Sequence, residues 1–122
     1  MSESVPWRPS RIAELLHRIV GEVLQKEIDV PTDVLITVSR VTLSPNHQHA
    51  TVDITVYPFA SALEVHAQLT REVHTIQQFV NKQTRMRPVP KIQFRIDPSE
   101  ERAHRLLNII KKESSNEEEN LE

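Results

Sequence analysis

His49-Ala50-Thr51-Val52-Asp53-Ile54-Thr55-Val56-Tyr57 is the stretch that decides the fold. Ala50, Val52, Ile54 and Val56 alternate with Thr51, Asp53, Thr55 and Tyr57, and a period of two is that of a strand with one dry and one wet face. Just upstream, Ser44-Pro45-Asn46-His47-Gln48 is turn chemistry. Before the turn, Val34 to Leu43 is rich in β-branched residues and reads as a second strand. The two are expected to pair as an antiparallel hairpin with one wet face. Downstream, Ile92, Phe94 and Ile96 alternate with Lys91, Gln93, Arg95 and Asp97, which predicts a third strand.

Helical spacing fills the intervals. Ile12, Leu15, Leu16, Ile19, Val23 and Leu24 form one apolar stripe over residues 10–27, opened by Pro9 with Ser10 or a neighbour as cap. Gly21 lies off the stripe's centre and costs about 1 kcal/mol against alanine; it either eases close packing or is incidental. Asp29 to Asp33, with Pro31, breaks the pattern. After the loop Pro58-Phe59-Ala60-Ser61, with Ser61 placed to cap, Ala62, Val65, Leu69, Val73, Ile76 and Val80 predict a helix over 62–82. Asp97 is placed to cap a last helix, with Pro98 at its first position and Glu100 set for a capping box. Ala103, Leu106, Leu107 and Ile110 give that helix a short stripe. The order is helix, strand, strand, helix, strand, helix, an α+β class with helices on one face of a three-stranded sheet.

Composition narrows the function. One domain is expected in 122 residues, spanning 1–112, with residues 1–8 frayed and 113–122 an acidic, disordered tail. The net charge of −2 hides an asymmetry. Glu113 to Glu122 holds five acids and no base, and the remaining 112 residues hold 15 basic and 12 acidic side chains. The absence of cysteine excludes disulfides and thiolate metal sites. A single glycine excludes Walker loops, dinucleotide fingerprints and Gly-x-x-Gly clamps, which need backbone that approaches a phosphate closely. No apolar run approaches a membrane span, and the first residues lack a signal peptide's apolar core. A cytoplasmic protein is expected.

The element order is that of a type II K-homology-like domain, and the residues point more narrowly. Ser39-Arg40-Val41-Thr42-Leu43-Ser44-Pro45-Asn46 followed by His49-Ala50-Thr51-Val52 resembles the signature of the ribosome-binding factor A family. Val89-Pro90, Phe94, Asp97, Ser99, Glu101, Arg102 and Arg105 are similar to that family's closing block, and the resemblance covers residues 8–110. It implies a non-enzymatic, monomeric factor without cofactor that binds the immature small ribosomal subunit and its RNA. The family's second helix carries an Ala-x-Gly kink. The matching positions here are Glu72, Val73 and His74, which leaves open whether the helix is kinked near Val73.

Candidate RNA contacts follow from charge. Lys82, Arg85, Arg87, Lys91 and Arg95 form a basic run without an acid, and arginine's planar fork suits phosphate oxygens. The blander reading is a solvated face. Arg71, just before the kink position, either contacts RNA or pairs with Glu64 or Glu72. Arg40 stands at a family-matched strand position. Arg8, Arg11 and Arg102 stand at helix starts, where positive charge opposes the macrodipole and hints at an anion. Arg105 is expected to pair with Glu101. His47 and His49 lack the further ligands a metal needs. No nucleophile–base pair is apparent. The alternative function is a protein-interaction module on the same fold that does not bind RNA directly.

Overall fold

The computed structural model describes residues 8–120, with side chains through Glu113. Expectations for residues 1–7 lie outside the described residues. The elements are α1 (Pro9–Glu27), β1 (Leu35–Leu43), β2 (His49–Tyr57), α2 (Ala62–Arg71), α3 (Val73–Lys82), β3 (Lys91–Ile96) and α4 (Pro98–Asn120). No described helix is long and apolar enough to cross a membrane.

β2 is the middle strand of a mixed sheet ordered β1-β2-β3. Its partner β1 runs antiparallel from Leu35↔Tyr57 to Leu43↔Ala50, with a bulge between Val38 and Arg40. β3 runs parallel, from His49↔Lys91 to Ile54↔Ile96. A parallel neighbour needs a long crossover, and α2 with α3 provides it. The hairpin turn is held by Ser44 and Asn46. The Ser44 hydroxyl donates to Asn46 Oδ1 at 2.7 Å, which also accepts the Gln48 N–H at 3.1 Å. His47 carries the turn through the left-handed region, φ 58°.

The dry face of the alternation is the core. Ala50, Val52, Ile54 and Val56 are buried against Leu16, Ile19 and Val20 of α1, Leu69 of α2, and Ile76 and Val80 of α3. Burial of this stripe is the main stabilising term.

Five local expectations need correction. Arg8, not Ser10, is the N-cap of α1, and no side chain caps it; Pro9 at the first position needs no N–H partner. Ser61 makes no capping bond either, because Phe59–Ser61 already winds as a 3-10 turn into α2. Asp97 does cap α4, its Oδ1 accepting the Ser99 N–H at 2.8 Å. The reciprocal half of the capping box is absent, because the Asp97 N–H donates to Ile54 O at 2.8 Å as part of the sheet. Glu100 instead lies 3.6 Å from His104.

The fourth correction concerns the helix over 62–82, which is interrupted at Glu72 (φ −97°, ψ 7°). Those angles are open to any L-residue, so the bend needs no glycine. Helical bonding survives through it, Glu72 N–H to Gln68 O and Ile76 N–H to Glu72 O, both 3.0 Å. Fifth, α4 does not bury its stripe. Leu106, Leu107, Ile109 and Ile110 stay about half exposed, and the helix meets the body near its start, where His104 stacks on Phe59 with ring centroids 4.0 Å apart. Its backbone is helical to Asn120.

Candidate nucleic-acid interface

The basic run spans the end of α3, the connector 83–90 and the start of β3. Gln77 holds these pieces together. Its Oε1 accepts the Ile92 N–H at 2.8 Å, and its Nε2 donates to Pro90 O at 3.2 Å and Asn81 Oδ1 at 3.1 Å. The connector is therefore a loop closed at both ends by one side chain. Met86 is buried and anchors its middle, with its N–H bonded to the Thr84 hydroxyl at 3.1 Å. On the far side, the Lys91 N–H donates to Gln48 O at 2.8 Å, joining the loop's exit to the hairpin turn.

Within this loop the basic side chains divide. Lys82, Arg85 and Lys91 are exposed, and among the described residues no carboxylate lies within ion-pair distance of them. The Lys82 ammonium stands 5.8 Å from the centre of the Phe79 ring, a cation–π contact that leaves its outer donors to solvent. Arg87 is different. Its guanidinium donates to Thr84 O at 2.9 Å, Met86 O at 2.6 Å and Asn81 O at 3.3 Å. It satisfies carbonyls at and beyond the C-terminus of α3, which have no helical partner. Arg87 thus helps to shape the loop, while its side chain remains exposed.

Arg95 is engaged more firmly. Its Nε donates to Asp53 Oδ1 at 2.8 Å and its Nη2 to Asp53 Oδ2 at 3.0 Å. The two residues are register partners on β3 and β2. Asp53, expected on a wet face, is 2 % exposed, whereas the Arg95 side chain remains 53 % exposed. The hydrogen bond to Asp53, and then its charge, raise the Arg95 pKa above the ordinary arginine value. Beside this clasp, the Ser39 hydroxyl donates to Asp97 Oδ2 at 2.7 Å, joining β1 to the residue that follows β3. That bond is the main reason the Asp97 carboxyl is held below its usual range; burial opposes it and the Ser99 N–H adds to it. Gln93 also donates to Thr51 at 2.9 Å across β3 and β2.

The other candidates lie apart. Arg8 and Arg11 are exposed at the start of α1, and Arg40 is exposed on β1 beside the bulge. Arg71 ends α2 and lines a cleft with Pro31, Val34 and Glu64, without an ion pair to Glu64 or Glu72 among the described contacts. Arg102 sits in the first turn of α4, its Nε reaching Pro98 O only at 3.4 Å. Arg105 pairs with Glu101 at 3.2 Å, as its spacing indicates. The ten predicted residues thus sit on several elements: Arg40 shares a row of the sheet with Asp53 and Arg95, and the connector group shares the scaffold built by Gln77. Sequence reading missed Gln77, whose role depends on a backbone N–H fifteen residues away. Nothing in a pattern of side chains marks that pairing.

Fold and site together define a class: a one-sheet α+β domain whose chemistry is a basic edge, with no group of three or more potential metal ligands among its described residues. The particular family follows from comparison. A profile of the ribosome-binding factor A family matches residues 8–110, and the chain belongs to that family. It is 32 % identical over 105 residues to ribosome-binding factor A of Coxiella burnetii, covering 86 % of this chain and 88 % of the relative. Identity to that of Rubrobacter xylanophilus is 32 % over 107 residues, covering 88 % of each. The crystal structure of ribosome-binding factor A from Thermus thermophilus shares the fold, with TM-score 0.61 and 23 % identity over 74 % of this chain and 97 % of the other. Coordinates for the Thermus thermophilus factor fitted into a cryo-EM map of its 30S complex give TM-score 0.56 and 24 % identity, covering 68 % and 88 %. The family is non-catalytic, and this chain is not an enzyme.

Proposed function

We propose that this protein binds ribosomal RNA of the immature small ribosomal subunit and aids its maturation. On this reading residues 1–112 act as a type II K-homology-like domain, monomeric and cytoplasmic. Family membership supports the coarse role in small-subunit assembly. One observation carries the finer reading: Lys82, Arg85 and Lys91 project from a loop closed by Gln77, without carboxylate partners among the described residues. A loop so fixed presents its charges at low ordering cost, and such charges neutralise phosphates. Arg8, Arg11, Arg40, Arg71 and Arg102 are secondary contacts on this reading, because they stand on elements outside the loop that Gln77 closes.

Three neutralised phosphates imply a slope of about −2 to −3 in log affinity against log salt, or roughly a 20- to 40-fold loss between 50 and 200 mM. The test is co-sedimentation with small-subunit precursors in sucrose gradients at low salt. The wild type is expected to travel with the particles, and a Lys82→Glu, Arg85→Glu, Lys91→Glu variant is expected to stay at the top. Binding unaffected by the triple reversal refutes the assignment.

A further inference from the structure

The sheet has a second free edge that the proposed RNA contact does not use. β1 is an outer strand, so on its side away from β2 successive N–H and C=O groups lack ladder partners. α1 lies beside this edge, and two cavities of ≈ 290 Å³ and ≈ 330 Å³ run between them. His17 lines both, which makes them one groove. Gly21, the chain's only glycine, is in its wall. A Cβ built at Gly21 would meet nothing within 4 Å, and no glycine here has a positive φ. Neither packing nor backbone geometry requires a glycine at that point, and a mid-helix glycine lowers helix stability. Its effect is to keep the groove open.

We propose that this groove receives an extended polypeptide segment of a partner protein, which adds to β1 as a fourth strand and places one side chain in the space over Gly21. Unpaired edge groups recognise a peptide backbone, and pockets beside them read alternate side chains. The groove's charge fits a polypeptide better than a polyanion. Glu14 and Glu22 in its walls offset Arg18 and Arg40, and Arg18 is already held by Glu22 at 3.5 Å. The connector around Arg85, by contrast, has bases without carboxylate partners among the described residues. The bulge after Val38 interrupts the edge, and Gly21 shares its cavity with Ile36, Thr37 and Val38, so the added strand is short and pairs before the bulge. This inference rests on the ribosomal reading, which makes the partner a protein of the small-subunit particle.

The test compares Gly21→Gln and Gly21→Ala on two probes, small-subunit precursor particles and protein-free small-subunit ribosomal RNA. Both variants are expected to raise the melting temperature, by about 3–5 °C, because each improves helix propensity without a clash. The glutamine variant is expected to bind particles at least tenfold more weakly while its affinity for protein-free RNA stays within twofold. The alanine variant, adding only a Cβ, keeps both. Undiminished particle binding by Gly21→Gln overturns the proposal. Equal loss on protein-free RNA also overturns it, since the groove would then belong to RNA. A wild type that bound neither probe would defeat the ribosomal reading itself, and this proposal with it.

Discussion

Replacing Gln77 by alanine removes no charge, yet it is expected to damage both stability and RNA binding. Three bonds disappear: from the Ile92 N–H at 2.8 Å, to Asn81 at 3.1 Å and to Pro90 O at 3.2 Å. The first matters most. Ile92 is buried, 6 % exposed, so its N–H is left without an acceptor in a place water reaches poorly. An orphaned buried donor costs about 1–3 kcal/mol, and the other two bonds are partly replaced by water. The expected loss is therefore about 2 kcal/mol, which for an m-value of about 2 kcal/mol/M lowers the urea midpoint by about 1 M. Gln77→Glu keeps the acceptor for Ile92 and loses the two donated bonds, so about 1 kcal/mol is expected. Urea melts followed by circular dichroism give the ranking, and hydrogen exchange of the Ile92 amide reports the bond directly. RNA affinity should fall three- to tenfold in the alanine variant, because the loop bearing Arg85 is no longer closed at its exit. A Gln77→Ala protein with unchanged midpoint and a protected Ile92 amide would refute this account of the loop.

Three further outcomes are expected. Arg95→Ala should lower the melting temperature by several degrees, because the buried Asp53 loses its partner, while RNA affinity in an anisotropy titration stays within twofold; a tenfold loss of affinity would restore Arg95 as a ligand. Leu69→Ala, at a fully buried position, should cost about 3 kcal/mol in urea, whereas Leu107→Ala on the uncovered stripe of α4 should stay within about 0.5 kcal/mol. Ser39→Ala removes the main cause of the low Asp97 pKa; a depressed carboxyl stabilises above its unfolded value and loses that contribution as pH falls through the folded one. The Ser39→Ala deficit, about 1 kcal/mol at neutral pH, should therefore shrink in melts below the usual carboxylate range, and a deficit independent of pH would count against the Ser39–Asp97 bond.

The alternation from His49 to Tyr57, the helical stripes and the Asp97-Pro98 start were enough to determine an α+β fold, because burial of one face is encoded in periods of 2 and 3.6. Family membership was legible for a similar reason, since its blocks are contiguous in the chain. What only the tertiary structure decided concerns groups distant in sequence. β3 joins parallel to β2, which places Arg95 over Asp53, 42 residues away, and joins the two in a clasp. The break at Glu72 carries no glycine signal, because its angles are open to any residue and the packing of two short helices on different neighbours selects them. Arg87 reads as free charge until backbone carbonyls are seen to surround it. A sequence displays which side chains carry charge, but whether a charge meets solvent or an internal partner is set by three-dimensional neighbours.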